Sequence, residues 1–232
     1  DIDIGSMPAR EIWDFVNAEG NVYESISAQV SWQRVTLNRG TFPTDGSLTS
    51  FSISSTLPFS DLNYYRANII QKFYQPLNFG NLVFGFNGEI GYLDSYGDTK
   101  ETPFFQNFYA GGPRSLRGFE SNTLGPRSTD APCYEFNYSE GTCPNLIDTD
   151  GDSILDTPYY NPYANTYSRY RDAPIGGNIK VEGSLQLIFR LPFIEDQRSM
   201  RSAFFFDFGN VFSDNCKEYQ INCSKPSLEE LR

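Results

Sequence analysis

Four aspartates in the segment DTDGDSILD are spaced like the ligands of a calcium-binding loop. They are Asp148, Asp150, Asp152 and Asp156. Carboxylate oxygens are hard ligands that suit Ca²⁺, which takes about six to eight of them. The match is incomplete, because an EF-hand loop would carry Gly where Ser153 stands and Glu where Tyr159 stands. Two interpretations therefore stay open, a structural calcium site and a solvated acidic loop.

The cysteines fall into two local pairs, each within a polar, turn-rich segment. The pairs are Cys133 with Cys143 and Cys216 with Cys223. Neither pair has the CxxC spacing, and the sequence alone allows more than one connectivity. Local pairing suits two small loops closed by disulfides in an oxidising compartment. Free thiols are the alternative, and the reactivity of exposed thiols makes that interpretation less favourable.

Composition removes most kinds of enzyme chemistry. The 232 residues contain no histidine, which excludes Ser-His and Cys-His nucleophile arrangements and most zinc sites. The net charge of −11 argues against nucleic acid as a partner, because phosphate binding needs clustered Lys and Arg. Apart from the possible calcium loop, no motif implies a cofactor or a nucleotide. We therefore do not expect an enzyme.

The elements that position these residues are six segments in which apolar and polar residues alternate with the period of a strand. Aromatic residues are abundant on the apolar side, with 20 Phe and 15 Tyr in the chain. Strands are predicted near 24–37, 48–58, 64–75, 82–94, 179–191 and 200–212, with a long loop at 95–178. Short turns and long loops at opposite ends are typical of transmembrane β-barrels, whose strands need about 9–11 tilted residues to cross the hydrocarbon.

The polar side of these strands carries too many charges for a dry core. The charged residues on it are Arg66, Lys72, Glu89, Lys180, Glu182, Arg190 and Asp207. Burying unpaired charges is costly, so this side must be wet or internally paired. A soluble antiparallel sandwich with one solvated face would show the same alternation. The unequal connections and the Phe-rich apolar sides favour an all-β, antiparallel transmembrane barrel.

The stretch FYAGGPRSLRGFESNTLGP, residues 108–126, resembles the signature of the outer-membrane insertase and transporter superfamily. The Arg-Gly-Phe hallmark of that superfamily is Arg117, Gly118 and Phe119 here. The resemblance extends to RGTFPTDGS after the first strand, to GGN before the fifth and to FFFDFGNVF in the sixth. It implies a fragment of a C-terminal barrel, about six of about sixteen strands. The periplasmic domains and the closing strands of such proteins are expected outside the fragment.

The resemblance also implies where the long loop goes. In that superfamily the extracellular loop folds back into the barrel lumen, and its Arg-Gly-Phe tip contacts carboxylates on the wall. Asp207 matches an acidic wall position, and the planar fork of Arg117 suits a bidentate carboxylate. At a second acidic position of the family this chain has Gln186, so Glu182 on the same face is the alternative partner. The glycine of the tip is expected to let the backbone bend, and the phenylalanine to pack on the wall.

The function that the resemblance implies is the membrane core of the machinery that folds and inserts β-barrel proteins into the outer membrane of Gram-negative bacteria. The implied partners are the outer-membrane lipid bilayer, unfolded β-barrel clients and periplasmic accessory lipoproteins. A secretion pore of the same superfamily and a passive porin are the alternatives. Residues 6–21 are expected to form a short helix in another outer loop.

Overall fold

The described part of the chain folds into one antiparallel sheet whose strands follow sequence order. The computed structural model describes residues 9–129, 173–189 and 201–217, together with 220 and 223. The elements are α1 (Arg10–Glu19), β1 (Ser27–Val35), β2 (Gly46–Thr56), β3 (Tyr64–Pro76), β4 (Val83–Ser95), β5 (Ile179–Phe189) and β6 (Ser202–Phe212), with a 3-10 turn at Phe104–Gln106. The strands begin and end within a few residues of the ranges predicted from the sequence.

The strand period divides the sheet into an apolar face and a polar face. In the β5–β6 register Leu185 lies opposite Phe206 and Ser184 opposite Asp207, so each pair shares a face. Large hydrophobic side chains are exposed on the apolar face of every strand, and they include Val30, Trp32, Phe51, Ile53, Ile69, Phe73, Phe84, Ile90, Val181, Leu185, Leu187, Phe204, Phe206 and Phe208. A continuous exposed patch of this kind fits an apolar medium rather than water.

The apolar residues form a band that crosses the sheet obliquely. On β1 the band is centred on residues 30–32, which the register connects to residues 210–212 of β6. On β6 the exposed phenylalanines are centred on Phe206 instead. The band therefore shifts by several residues along the strands between the two edges. Strands that tilt within a barrel wall must be staggered in this way.

The two ends of the sheet have different connections. Residues 36–45 and 77–82 lie at one end, the turn end, together with the end of β5 and the start of β6, and residues 57–63, 96–129 and 173–178 lie at the other, the loop end. The prediction of short turns at one end and long loops at the other was wrong for residues 57–63, because this connection at the loop end is no longer than a turn. Its polar side chains explain the short path: Ser60 and Asp61 accept hydrogen bonds from the backbone of Ile26 and Glu24, just before β1.

Helix α1 joins several segments at the loop end. Phe15 is buried and packs edge-on against three rings, those of Tyr23, Phe104 and Phe105. Glu11 accepts a hydrogen bond from the backbone N–H of Thr129, and Glu19 accepts one from that of Lys100. The helix expected within residues 6–21 is therefore present and is bonded to the long loop. No helix in the described ranges has the length and apolar character needed to cross a membrane.

Candidate functional site

Arg117 is clamped on Asp207 on the polar face of the sheet. Nε of Arg117 donates to Oδ2 of Asp207 at 2.8 Å, and Nη2 donates to Oδ1 at 2.7 Å. The backbone N–H of Arg117 also donates to Oδ2, at 3.0 Å. The Asp207 side chain is 5% exposed and that of Arg117 is 30% exposed. Bidentate charge-assisted bonds are among the strongest in proteins, so three donors from one residue hold the loop on β6.

Two further wall residues complete the arginine site, and the sequence did not predict either of them. Ser184 lies opposite Asp207 in the β5–β6 register, and its Oγ accepts from Nη2 of Arg117 at 2.8 Å. The ring of Phe205 lies beneath the guanidinium, with Cζ of Arg117 3.5 Å from the ring centroid. A cation over an aromatic face is attracted by the ring quadrupole. The strand period was the available signal, because Phe205 precedes Asp207 by two residues and therefore shares its face.

The tip of the loop, residues 115–119, is fixed by apolar packing as well as by charge. Leu116 is buried and forms a small cluster with Ala110 and Val211 of β6. Gly118 has a φ of 93°, a left-handed conformation that favours glycine, so it bends the chain directly after the arginine. Phe119, which was expected to pack on the wall, is 54% exposed in the described part of the chain. The buried apolar contact of the tip with β6 comes from Leu116.

The base of the long loop sits in a socket on the polar face. The ring of Phe108 is 3% exposed and lies directly over Gly91 of β4, where an added Cβ would be 2.5 Å from ring atoms. The guanidinium of Arg66 on β3 covers the same ring at 4.2 Å from its centroid. Phe108 is also joined to Gly177 by a backbone bridge just before β5. The loop is therefore held both at its base and at its tip.

The expectation that Glu182 or Gln186 would be the second partner of Arg117 was not met. Within the described residues the hydrogen bonds of Arg117 go to Asp207 and Ser184. Gln186 bonds Ser184 and Arg201 instead, and Glu182 bonds Ser115 of the loop. The register explains the difference, because it places Ser184, rather than its neighbours on the same face, directly opposite Asp207.

Other predicted site residues lie apart from the arginine site. Cys216 and Cys223 form a disulfide at the loop end, and the neighbouring Lys217 pairs with Glu101 of the long loop. Cys133, Cys143 and the four aspartates Asp148, Asp150, Asp152 and Asp156 lie outside the described residues. Among the residues that are described, no group of three or more His, Cys, Asp or Glu is placed to hold a metal ion.

The model of the Omp85 superfamily domain matches residues 6–229. The chain belongs to the Omp85 superfamily. It is 33% identical over 195 residues to the outer membrane protein assembly factor BamA of Neisseria meningitidis serogroup B (strain ATCC BAA-335 / MC58), a match that covers 84% of this chain and 19% of that protein. It also resembles the crystal structure of BamA from Haemophilus ducreyi lacking POTRA domains 1-3, with a TM-score of 0.63 and 30% identity, covering 87% of this chain and 35% of that one.

Membership of the Omp85 superfamily decides between the two folds that alternation alone left open. The sheet is part of an antiparallel transmembrane β-barrel in the outer membrane of Gram-negative bacteria, and the soluble sandwich is rejected. The apolar band then faces lipid, and the polar face, with the clamp of Arg117 on Asp207, faces the lumen. The chain spans about a fifth of the length of the BamA relative.

Proposed function

We propose that this chain forms part of the barrel wall, together with the loop that plugs the lumen, of an Omp85 protein that folds and inserts other β-barrel proteins into the outer membrane. The observation that supports this best is the three-bond clamp of Arg117 on Asp207 in a chain similar to BamA. The proposed partners are the lipid bilayer, unfolded β-barrel clients and periplasmic accessory lipoproteins. With a net charge of −11, nucleic acid is not among them.

The proposed activity is physical and needs neither a covalent step nor a nucleotide. A client strand is inserted by edge pairing at a weak seam between the first and last strands of the full barrel. The long loop contributes by holding the wall rigid: Phe108 is covered by Arg66 of β3 and packs over Gly91 of β4, while the tip bonds β5 and β6. Four neighbouring strands are thereby tied to one element, so opening is confined to the seam.

The test uses the full-length protein, with its accessory lipoproteins, reconstituted into vesicles of outer-membrane lipids. The rate at which an unfolded β-barrel client acquires its folded, heat-modifiable form is measured for the unaltered protein and for Arg117→Lys. We expect the substitution to slow client folding severalfold, because lysine cannot make the bidentate bond. Arg114→Lys is the matched control, since Arg114 lies in the same loop and is exposed.

Three outcomes would contradict the proposal. The first is client folding no faster than in empty vesicles. The second is export of a single passenger protein without insertion of clients, which would indicate a secretion pore. The third is a large steady conductance without either activity, which would indicate a passive porin.

A structural calcium ion at Asp148, Asp150, Asp152 and Asp156 stays a prediction. Carboxylates at this spacing suit Ca²⁺ but are equally compatible with a solvated loop. Titration calorimetry of the folded full-length barrel with Ca²⁺ tests it, and the absence of a binding heat would leave the solvated loop as the interpretation.

A further inference from the structure

The tip of the loop touches the wall at a second point, two residues before the arginine. The hydroxyl of Ser115 donates to Oε2 of Glu182 on β5. Arg117 contacts Ser184, which follows Glu182 by two residues on the same face. Loop positions 115 and 117 therefore face strand positions 182 and 184 with equal spacing.

The loop itself orients the hydroxyl of Ser115. The backbone N–H of Gly111 donates to Oγ of Ser115 at 3.1 Å, so the hydroxyl proton is available for Glu182. Gly111 has a φ of 109°, and a Cβ there would lie 2.4 Å from the carbonyl oxygen of Glu120. A side chain at Gly111 would break this turn, so its glycine is needed to present the hydroxyl to the wall.

Lys180 holds Glu182 from the wall side. Nζ of Lys180 lies 3.0 Å from Oε2 of Glu89 and 3.3 Å from Oε1 of Glu182. The side chains of Lys180, Glu89 and Glu182 are 10%, 23% and 12% exposed. Oε1 of Glu182 therefore pairs with Lys180 of the wall, and Oε2 accepts the hydrogen bond from Ser115 of the loop. Largely enclosed charges of this kind are held in place by their partners, because losing one leaves another unpaired.

We infer that Ser115, Glu182 and Lys180 form a second latch, which positions the tip on β5 separately from the clamp of Arg117 on Asp207. In the part of the chain that the structure describes, no hydrogen bond or ion pair joins the two. The clamp already reaches Asp207 of β6 and Ser184 of β5, and the bond of Ser115 to Glu182 adds an attachment two residues away along β5, which fixes the orientation of the tip as well as its position. The inference rests on these contacts and not on the proposed insertion of clients, so it stands or falls independently of that activity.

A double-mutant cycle in the full-length protein tests the latch. The measured quantity is the temperature at which the folded barrel loses its heat-modifiable mobility on a gel. We expect Ser115→Ala and Glu182→Ala each to lower this temperature by a few degrees. The double variant is expected to lose less than the sum of the two single losses, because both substitutions delete the bond between Ser115 and Glu182. Shifts that simply add would overturn the latch.

Two conservative variants keep the test decisive. Ser115→Thr retains a hydroxyl and should restore most of the loss seen with Ser115→Ala, and no recovery would overturn the inference. If Glu182→Ala does not fold, Glu182→Gln replaces it in the cycle. An amide oxygen accepts a weaker hydrogen bond than a carboxylate, so Ser115→Ala should then cost less than in the unaltered protein. An equal cost in both backgrounds would also overturn it.

The independence of the latch from the clamp has its own control. Ser115→Ala and Arg117→Lys remove bonds to different wall residues, and their shifts are expected to add. A double variant no worse than Arg117→Lys alone would show that Ser115 acts only through the arginine, which would contradict a separate latch.

Discussion

Arg117 and Asp207 lie 90 positions apart in the sequence and meet through three hydrogen bonds on the lumenal face of β6. The carboxylate is 5% exposed, so Arg117 donates the hydrogen bonds that water would otherwise provide. Ser184 and Phe205 complete the enclosure, one as an acceptor and the other as an aromatic surface. A loop residue therefore completes the hydrogen bonds of a buried carboxylate in the barrel wall, so the loop and the wall stabilise each other.

Removing the guanidinium should destabilise the whole barrel. In Arg117→Ala the charge of Asp207 is left buried without its partner, which costs about 3–5 kcal/mol when a pair is enclosed. Because Arg117 is partly exposed, we expect the lower end of that range. Chemical unfolding of the full-length protein in detergent measures it. Arg114→Ala, at an exposed position, should leave stability unchanged, and an equal loss in both variants would contradict a specific clamp.

Phe205 should contribute to the clamp through its ring rather than through lipid contact. Phe205→Leu removes the aromatic face beneath Arg117, and we expect a loss of about 1–2 kcal/mol. The same substitution in the Arg117→Ala background should cost much less, because the cation is already gone. Phe206→Leu is the matched control, since Phe206 is on the apolar face and its cost should not depend on Arg117. The measurement is again chemical unfolding, and equal costs of Phe205→Leu in both backgrounds would refute the stacking.

The strands could be predicted because they depend on local patterns, whereas the clamp was predicted from the resemblance of residues 108–126 to the superfamily signature. A period of two over about ten residues indicates a strand whatever surrounds it, and it also assigns Asp207 to the polar side. The partners across strands could not be predicted in the same way. They depend on register, which the turns and the long loop set, and a shift of two residues would have placed Glu182 or Gln186 where Ser184 lies.

The contacts of Glu182 show the same limit of predicting partners from the sequence. As a carboxylate near the predicted site it was a reasonable partner for arginine, yet Lys180 and Ser115 engage it first. Charge alone does not reveal which of several neighbouring donors will reach a carboxylate. Phe119 illustrates the point for apolar residues, because Leu116 rather than Phe119 packs against β6.

The assignment of the two faces can be tested with neighbouring residues of one strand. Ile53 of β2 is exposed on the apolar face, and Ser52 is on the polar face. Ile53→Lys places a charge against lipid, which costs about 2–4 kcal/mol near the bilayer midplane. Ser52→Lys points into the wet lumen and should cost much less. The yield and unfolding free energy of each variant in lipid vesicles measure the difference, and a greater loss for Ser52→Lys would reverse the faces.

Gly91 should be among the least replaceable residues of the wall, because the base of the long loop occupies the space above it. A Cβ at this position would lie 2.5 Å from the ring of Phe108, which is buried and covered by Arg66. Gly91→Ala must therefore displace the ring, and overpacking of this kind costs about 1–3 kcal/mol. Chemical unfolding of the full-length barrel measures the loss. Gly40→Ala is the control, since no atom lies within 4 Å of the Cβ that it adds.

Combining Gly91→Ala with Phe108→Leu tests whether the loss of stability in Gly91→Ala comes from a clash with Phe108 or from a general intolerance of side chains on β4. The smaller side chain leaves room for the added methyl group, so the double variant should be less destabilised than the sum of the two single variants. Protease cleavage within the long loop should be faster in Gly91→Ala than in the unaltered protein, because a displaced Phe108 frees the base of the loop. Strictly additive losses with an unchanged cleavage rate would show that the strain at Gly91 is relieved elsewhere and that Phe108 does not anchor the loop.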